Sequence, residues 1–249
     1  MCVCVYVCVC VCLSVSVYVR VCVYPSGVLG QVSGALELAE QIQAGEIPDC
    51  DGIYVAVGSS CTISGLVLGV ALARKLGLRA FRKEGFRLHL VPIHHVFALL
   101  SRTTGLYTSG YSRYIPLTVR HSIHSTCLCL RQLGGPDVLR EALSVLDNQV
   151  VVHDSAELVG SYGAHSQPSL QCARLFDSSA ELTSLSGDAA QGLWLCGHFT
   201  AKGLAALCDD LLLPGNTDKN MVRCFLGGGV HGCFSWALPP FGCGGVSSL

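Results

Sequence analysis

Asp51-Gly52-Ile53-Tyr54-Val55-Ala56-Val57-Gly58-Ser59-Ser60-Cys61-Thr62-Ile63-Ser64-Gly65, continuing through an apolar run to Arg74-Lys75-Leu76-Gly77, decides the fold. Ile53 to Val57 is short, apolar and rich in β-branched residues, bounded by Asp51-Gly52 and by Gly58-Ser59-Ser60, which suits a strand buried on both faces. A helix should follow at once. Thr62 or Ser64 can cap its start, Leu66, Val67, Val70 and Ala73 recur at helical spacing, and Arg74, Lys75 and Gly77 mark its end.

A strand, a glycine-serine turn and a helix in succession aim several backbone N–H groups and the positive end of the helix dipole at one spot, which suits an anionic phosphate. The kind of phosphate follows by elimination. A triphosphate loop wants a Lys-Ser or Lys-Thr pair at the helix start, where this chain has Thr62-Ile63-Ser64-Gly65. A dinucleotide fold wants an acidic residue about twenty positions after the glycine turn; the next one after Asp51 is Glu84, beyond a basic cluster. A cup for a small phosphate monoester remains, lined by backbone amides and the hydroxyls of Ser59, Ser60 and Thr62. An ordinary strand-to-helix turn of an α/β domain has the same pattern.

Gly58-Ser59-Ser60-Cys61-Thr62-Ile63-Ser64-Gly65, preceded by Ile53-Tyr54-Val55-Ala56 and by Leu36-Glu37-Leu38-Ala39-Glu40-Gln41-Ile42-Gln43-Ala44-Gly45, resembles the pyridoxal-phosphate enzymes of the tryptophan-synthase-β type, fold type II. The likeness is greatest to the D-cysteine desulfhydrase and aminocyclopropane-carboxylate deaminase branch, and it is dense from about Leu29 to Leu78. It implies pyridoxal phosphate as cofactor and a small amino acid as substrate. The fold it implies is α/β, a three-layer parallel sheet with flanking helices, covering the C-terminal half of the family's fold. By the same likeness Gly58, Ser59, Ser60, Cys61 and Thr62 hold the cofactor phosphate, and Gly227 lies near the cofactor ring. Ser60 and Cys61 stand where the family has small residues, mostly glycine. If position 60 needs a positive φ, serine carries a cost there.

Further segments carry the likeness more loosely. Pro25-Ser26-Gly27-Val28-Leu29-Gly30 resembles a serine- and glycine-rich turn before the first helix, which is expected over Gln31 to Ala44 and stopped by Gly45 and Pro48. Gly160-Ser161-Tyr162-Gly163 resembles a Gly-Tyr-Gly segment ahead of a helix at Ser169 to Leu175. Leu195 to Leu204 is similar to a stretch in which Phe199 takes the place of the family's active-site tyrosine, and Phe225 to Gly232 to a closing segment in which Gly227 replaces a threonine. Both changes delete a hydroxyl.

The family's chemistry needs a lysine amine that bonds covalently to the cofactor. The four lysines are Lys75, Lys83, Lys202 and Lys219, and none has the sequence context of that residue, which the family carries in a region without counterpart here. No catalytic residue is therefore assigned. The expectation is a chain related to pyridoxal-phosphate lyases that deaminate small amino acids, itself inactive. The alternative is a non-catalytic α/β fragment that binds a phosphate ligand or a partner subunit; a homodimer is allowed for.

Composition sets the bounds. The 249 residues suffice for one sizeable core or two small domains. A formal charge of −1 shows neither a basic face for nucleic acid nor an acidic tail. From Val3 to Val23 valine fills every odd position except Leu13, alternating with Cys, Tyr, Ser or Arg. An alternating strand, a membrane segment and a translated dinucleotide repeat all compete for residues 1–24; the repeat accounts for every even position by single-base changes, so the segment is treated as a non-native leader and no membrane span is expected. Six of the 16 cysteines lie there; the other ten have no disulfide spacing and read as reduced thiols of a cytoplasmic protein.

The chain thus divides into the leader, a phosphate-cup part over residues 25–91, an irregular insertion over 92–135, the remainder of the cofactor domain over 136–236, and a disordered tail over 237–249. In the insertion, His121, His124, Cys127 and Cys129, with His94 and His95 earlier, are zinc-ligand types, but four ligands within nine residues would strain the backbone, so no metal is assigned. Arg79, Arg82, Lys83 and Arg87 read as a solvated helix end or loop, Leu88 to Ile93 and Val150 to Val152 as strands, and Pro136 to Leu146 as a helix.

Overall fold

The computed structural model describes residues 25–58, 60–93, 110–161, 163–178, 195–197, 199–213, 221–225 and 234–237. In chain order the elements are α1 (Pro25–Ala44), β1 (Gly52–Val57), α2 (Cys61–Lys75), β2 (Arg87–Pro92), α3 (Gly110–Gln132), α4 (Leu139–Gln149), β3 (Val150–Val152), α5 (Ala156–Val159), α6 (Gln167–Ser178), α7 (Thr200–Leu211), β4 (Met221–Phe225) and β5 (Phe234–Ala237). The leader, His94, His95, Ser59, Lys219, Gly227 and residues 238–249 of the expected tail lie outside the described residues, while Ala237, expected to begin that tail, is instead the last residue of β5.

One sheet runs in the order β3-β2-β1-β4-β5. β1 pairs in parallel with β2 and β4, and β2 with β3, whereas β5 is antiparallel to β4. The protein is thus α/β with a small, mostly parallel sheet; the expected all-parallel sheet is corrected at this edge, where the eight residues between β4 and β5 are too few for a crossover. The other links carry helices, as parallel pairing demands.

β1 alternates between two cores. Ile53, Val55 and Val57 enter one with Leu88 and Leu90 of β2, while Tyr54 enters the other with Val91. α1, α2, α3 and α4 fill the first, and α7 with Cys172 of α6 and Leu158 of α5 fills the second. Helices therefore cover both faces, as the near-continuous apolar run of β1 requires.

α2 is buried at every position from Ile63 to Ala73, which explains its weak helical period: a helix surrounded by protein needs no polar face. Its approach to α1 is set by two glycines on one stripe. A Cβ at Gly65 would stand 2.2 Å from Gln31 Cβ, and one at Gly69 2.3 Å from Ala35 Cβ. α1 begins at Pro25, so Pro25 to Gly30 is helix rather than the expected turn; a proline in the first turn loses no hydrogen bond the helix would otherwise make. Gly45 and Gly77, at φ of 80° and 83°, end α1 and α2 as expected.

The expectation of irregular structure over 92–135 is corrected for its described part. α3 presents Val119, Ile123 and Cys127 to the first core, one residue per turn. Ser122 and Thr126 interrupt that stripe, and it is their hydroxyls that hide the period in the sequence. Both are buried, and neither hydroxyl has a partner among the described residues. α4 starts at Leu139, later than Pro136, with the Asp137 carboxylate accepting from Leu139 N–H at 3.2 Å. The basic residues after α2 do more than face solvent: Arg79 donates to Ile42 O, Arg82 to Leu78 O and Lys83 to Asp49 O, tying that loop to its neighbours.

Among the described residues, Cys50, Cys127, Cys129 and Cys196 are thiols outside any disulfide. Burial, with Asp137 and Glu141 nearby, pushes the Cys127 thiol up to about 11, leaving it protonated and inert at neutral pH. Among the described residues no helix is long and apolar enough to cross a membrane.

Two substitutions test this packing. Gly69→Ala should destabilise the protein by about 1–3 kcal/mol through overpacking against Ala35, whereas Gly85→Ala, with open space at its Cβ position, should change little; urea midpoints decide. Thr126→Val, which removes a buried hydroxyl without changing shape, should stabilise by about 1 kcal/mol, read as a higher thermal midpoint.

Candidate functional site

The chain leaves β1 at Val57 and reaches α2 within three residues, so Gly58, Ser60, Cys61 and Thr62 form one turn at the carboxyl end of the strand. From β1 the chain proceeds to β2 and β3 on one side and returns at β4 on the other. The strand order therefore reverses between β1 and β4, and the turn lies at that switch point, where open α/β sheets leave a crevice for ligands.

Ser60 carries the local strain. It occupies the N-cap of α2 at φ 68°, ψ −1°, in the left-handed region, and its side chain makes no capping bond. Its Oγ instead pairs with Thr118 Oγ1 of α3 at 2.9 Å. Its carbonyl accepts from the backbone N–H and the Oγ of Ser64, at 3.1 and 2.7 Å. Ser64 is buried and Thr62 lies inside the helix, so neither provides the expected cap. A left-handed backbone costs a residue bearing a Cβ about 1–2 kcal/mol, so the cost anticipated for serine at this position is present.

Gly58 is where other elements close on the turn. A Cβ there would meet Ile93 Cδ1 at 3.1 Å and Phe199 Cε1 at 3.4 Å. Ile93 extends the β1–β2 ladder through its N–H to Val57 O at 3.2 Å. Phe199 is the N-cap residue of α7, held by its N–H to Cys196 Sγ at 3.4 Å, while Thr200 Oγ1 accepts from Cys196 N–H at 2.8 Å. The first turn of α7 thus comes beside that of α2.

Lys202, in the first turn of α7, is buried, and its Nζ donates to Ser161 O at 2.9 Å and Ile93 O at 3.3 Å. Burial holds its amine below the ordinary lysine range. Gly160, at φ 57° and with its Cβ position 2.9 Å from Ser166 Cβ, lets the chain bring Ser161 O to that amine. Lys75 and Lys83 lie at the other end of the sheet: Lys75 bonds Glu141 at 2.8 Å, and Lys83 bonds Asp49 O at 2.9 Å and Asp51 at 3.1 Å. An open cleft of about 460 Å³ lined by Arg74, Arg82, Lys83, Glu84 and Gln149 sits at that end, away from the turn.

The described residues of the turn offer amides at a helix N-terminus, whereas a covalent bond to a cofactor would need an amine that Lys202, hydrogen-bonded to two carbonyls, does not present. The left-handed residue at the α2 N-terminus and the adjoining α7 N-terminus form a setting in which backbone N–H groups meet an anion. Among the described lysines, however, the one at this edge spends its protons on two carbonyls. The structure brings Gly58, Ser60, Cys61 and Thr62 together; Ser59 and Gly227 lie outside the described residues.

Sequence reading missed a second constellation. On the α7 face of the sheet, Tyr54 OH donates to Asp210 Oδ2 at 2.5 Å, and the Tyr54 ring stacks on His89 with centroids 4.1 Å apart. Burial and the Asp210 carboxylate push the phenol far above its ordinary range. His153 completes the group. Its members come from β1, β2, the end of β3 and α7, so no local motif could have revealed it; a histidine at the inward position between Leu88 and Leu90 is the one available hint. His121, His124, Cys127 and Cys129, by contrast, spread along α3 and do not converge as a metal-ligand group among the described residues.

Neither a protein-family model nor a curated protein sequence matches the chain. It is similar to a solved structure described as "Crystal Structure Analysis of the ACC deaminase homologue", with 19% sequence identity and a TM-score of 0.49 over 83% of this chain and 47% of that one. The chain therefore spans about half the length of that neighbour.

The strain at Ser60 is measurable. Ser60→Ala loses the Thr118 bond and keeps the left-handed strain, whereas Ser60→Gly loses both. The glycine variant should be the more stable of the two by about 1 kcal/mol, and equal denaturation midpoints would contradict the geometry described.

Proposed function

We propose that this chain is a relative of the pyridoxal-phosphate lyases of the D-cysteine desulfhydrase and aminocyclopropane-carboxylate deaminase branch that retains the phosphate grip and lacks the catalytic amine. Its biochemical function on this reading is reversible binding of pyridoxal phosphate, or of a small phosphate monoester like it, without lyase activity. The observation that carries the reading is the β1–α2 turn: Ser60 sits left-handed at a helix N-terminus, at the switch point of the sheet, in the motif from Gly58 to Gly65 that resembles the family's phosphate loop.

In the family the bound cofactor withdraws electrons from the substrate's α-carbon and so eases bond cleavage there. In this chain the backbone N–H groups at the start of α2, with the Thr62 hydroxyl, would hold the phosphate. Phe199 and Ile93 would exclude water from one side of the turn. Phe199 has no hydroxyl to give or take a proton where the resemblance puts the family's tyrosine, and the Lys202 amine is occupied by Ile93 O and Ser161 O. These two facts favour binding over turnover.

Titration of the full chain with pyridoxal phosphate, followed by borohydride reduction and peptide mapping, tests the proposal. Saturable binding is expected, displaced by inorganic phosphate, not reproduced by pyridoxal lacking the phosphate, weakened by Thr62→Ala, and leaving no lysine stoichiometrically labelled. Failure to bind either phosphate compound overturns the grip. Sulfide release from D-cysteine, with one lysine labelled, overturns the inactivity and restores the lyase reading.

A further inference from the structure

We propose that His89, His153 and Asp210 form a binding site for a divalent first-row transition metal ion, with zinc the ion the donor set favours first. The site lies on the α7 face of the sheet and does not rest on the phosphate reading.

The argument is geometric. His89 Nδ1 lies 2.9 Å from His153 Nε2 and 3.5 Å from Asp210 Oδ2, and His153 Nε2 lies 3.6 Å from the same oxygen. A point about 2 Å from all three atoms lies just off the plane of that triangle, and about 2 Å is the bond zinc makes with imidazole nitrogen and carboxylate oxygen. A tetrahedral ion with such bonds keeps its ligands about 3.3 Å apart, so the three atoms already stand close to three of its corners. The two ring nitrogens face each other across 2.9 Å, and a cation in that place would meet both of them together with the carboxylate oxygen.

The ligands are held before any ion arrives. Tyr54 stacks on the His89 ring at an interplanar angle of 9° and donates its hydroxyl to Asp210 Oδ2, fixing two of the three side chains. The backbone N–H of His153 donates to Leu90 O at 2.8 Å, which ties the main chain of the third to the strand that carries the first. Partners of this kind orient ligands in known metal sites. The three side chains are 12%, 19% and 20% exposed, buried enough to be ordered and open enough for an ion to enter. Two imidazoles and one carboxylate leave coordination positions open, as in catalytic rather than structural sites, and suit zinc, iron(II) or cobalt(II) better than calcium or magnesium.

Cobalt(II) is the probe that separates this site from the thiols. The full chain, stripped with chelator and kept reduced, is titrated with cobalt(II) alone and then displaced with zinc. One equivalent with the visible d–d bands of nitrogen and oxygen ligation is expected, separate from any thiolate charge-transfer band. Those d–d bands should vanish in Asp210→Asn and in His153→Ala and survive in the double variant His121→Ala, His124→Ala, whose side chains are exposed on α3. Circular dichroism checks that each variant folds; Asp210→Asn, nearly identical in shape, decides the matter if His153→Ala does not fold. No such bands in the wild type, their persistence in Asp210→Asn, or their loss in the α3 double variant overturns the proposal.

Discussion

β1 has no face to give to water, and the rest of the structure follows from that. Ile53, Val55 and Val57 need helices on one side and Tyr54 needs them on the other, so the chain must supply two helical layers and strands on both edges. Parallel pairing on both sides of β1 then forces long crossovers, and α2 is the shortest of these. Full burial of α2 pushes it against α1, where side chains at Gly65 and Gly69 would collide with Gln31 and Ala35. A buried strand thus leads to a buried helix, and the buried helix to a pair of glycines.

The same constraint places the candidate site. A strand that ends in the middle of a sheet, at the point where the order of connection reverses, delivers its following turn to a crevice between helix N-termini. Ser60 is held in an unfavourable backbone conformation there because its carbonyl serves Ser64 twice and its hydroxyl is bonded to Thr118. Three hydrogen bonds offset a strain of about 1–2 kcal/mol. The buried Lys202 is a second local cost met by specific partners: its desolvation is offset by two backbone carbonyls, one supplied by a glycine bend at Gly160.

Much of the first half was legible in the residues. β1, the turn, α2, β2 and the glycine stops appear where the sequence puts them, because hydrophobic period, helix-ending glycines and turn residues act over a few positions. α3 was not legible, since Ser122 and Thr126 bring hydroxyls into a core stripe where periodicity expects apolar residues. The antiparallel β5 was missed because the resemblance implied a parallel sheet throughout, and a strand's direction is a property of its connection rather than of its composition.

The sequence by itself determined that a buried strand feeds a glycine-serine turn and then a helix. Only the tertiary structure decided what Ser60 bonds to, where the Lys202 amine goes, and that His89, His153 and Asp210 meet beside Tyr54. The physical reason is range: Ser60 and Thr118 are 58 residues apart, Lys202 and Ile93 109, and Tyr54 and Asp210 156. Local propensities fix which elements form, whereas side chains so far apart become neighbours only when the sheet orders its strands and α7 packs down on them.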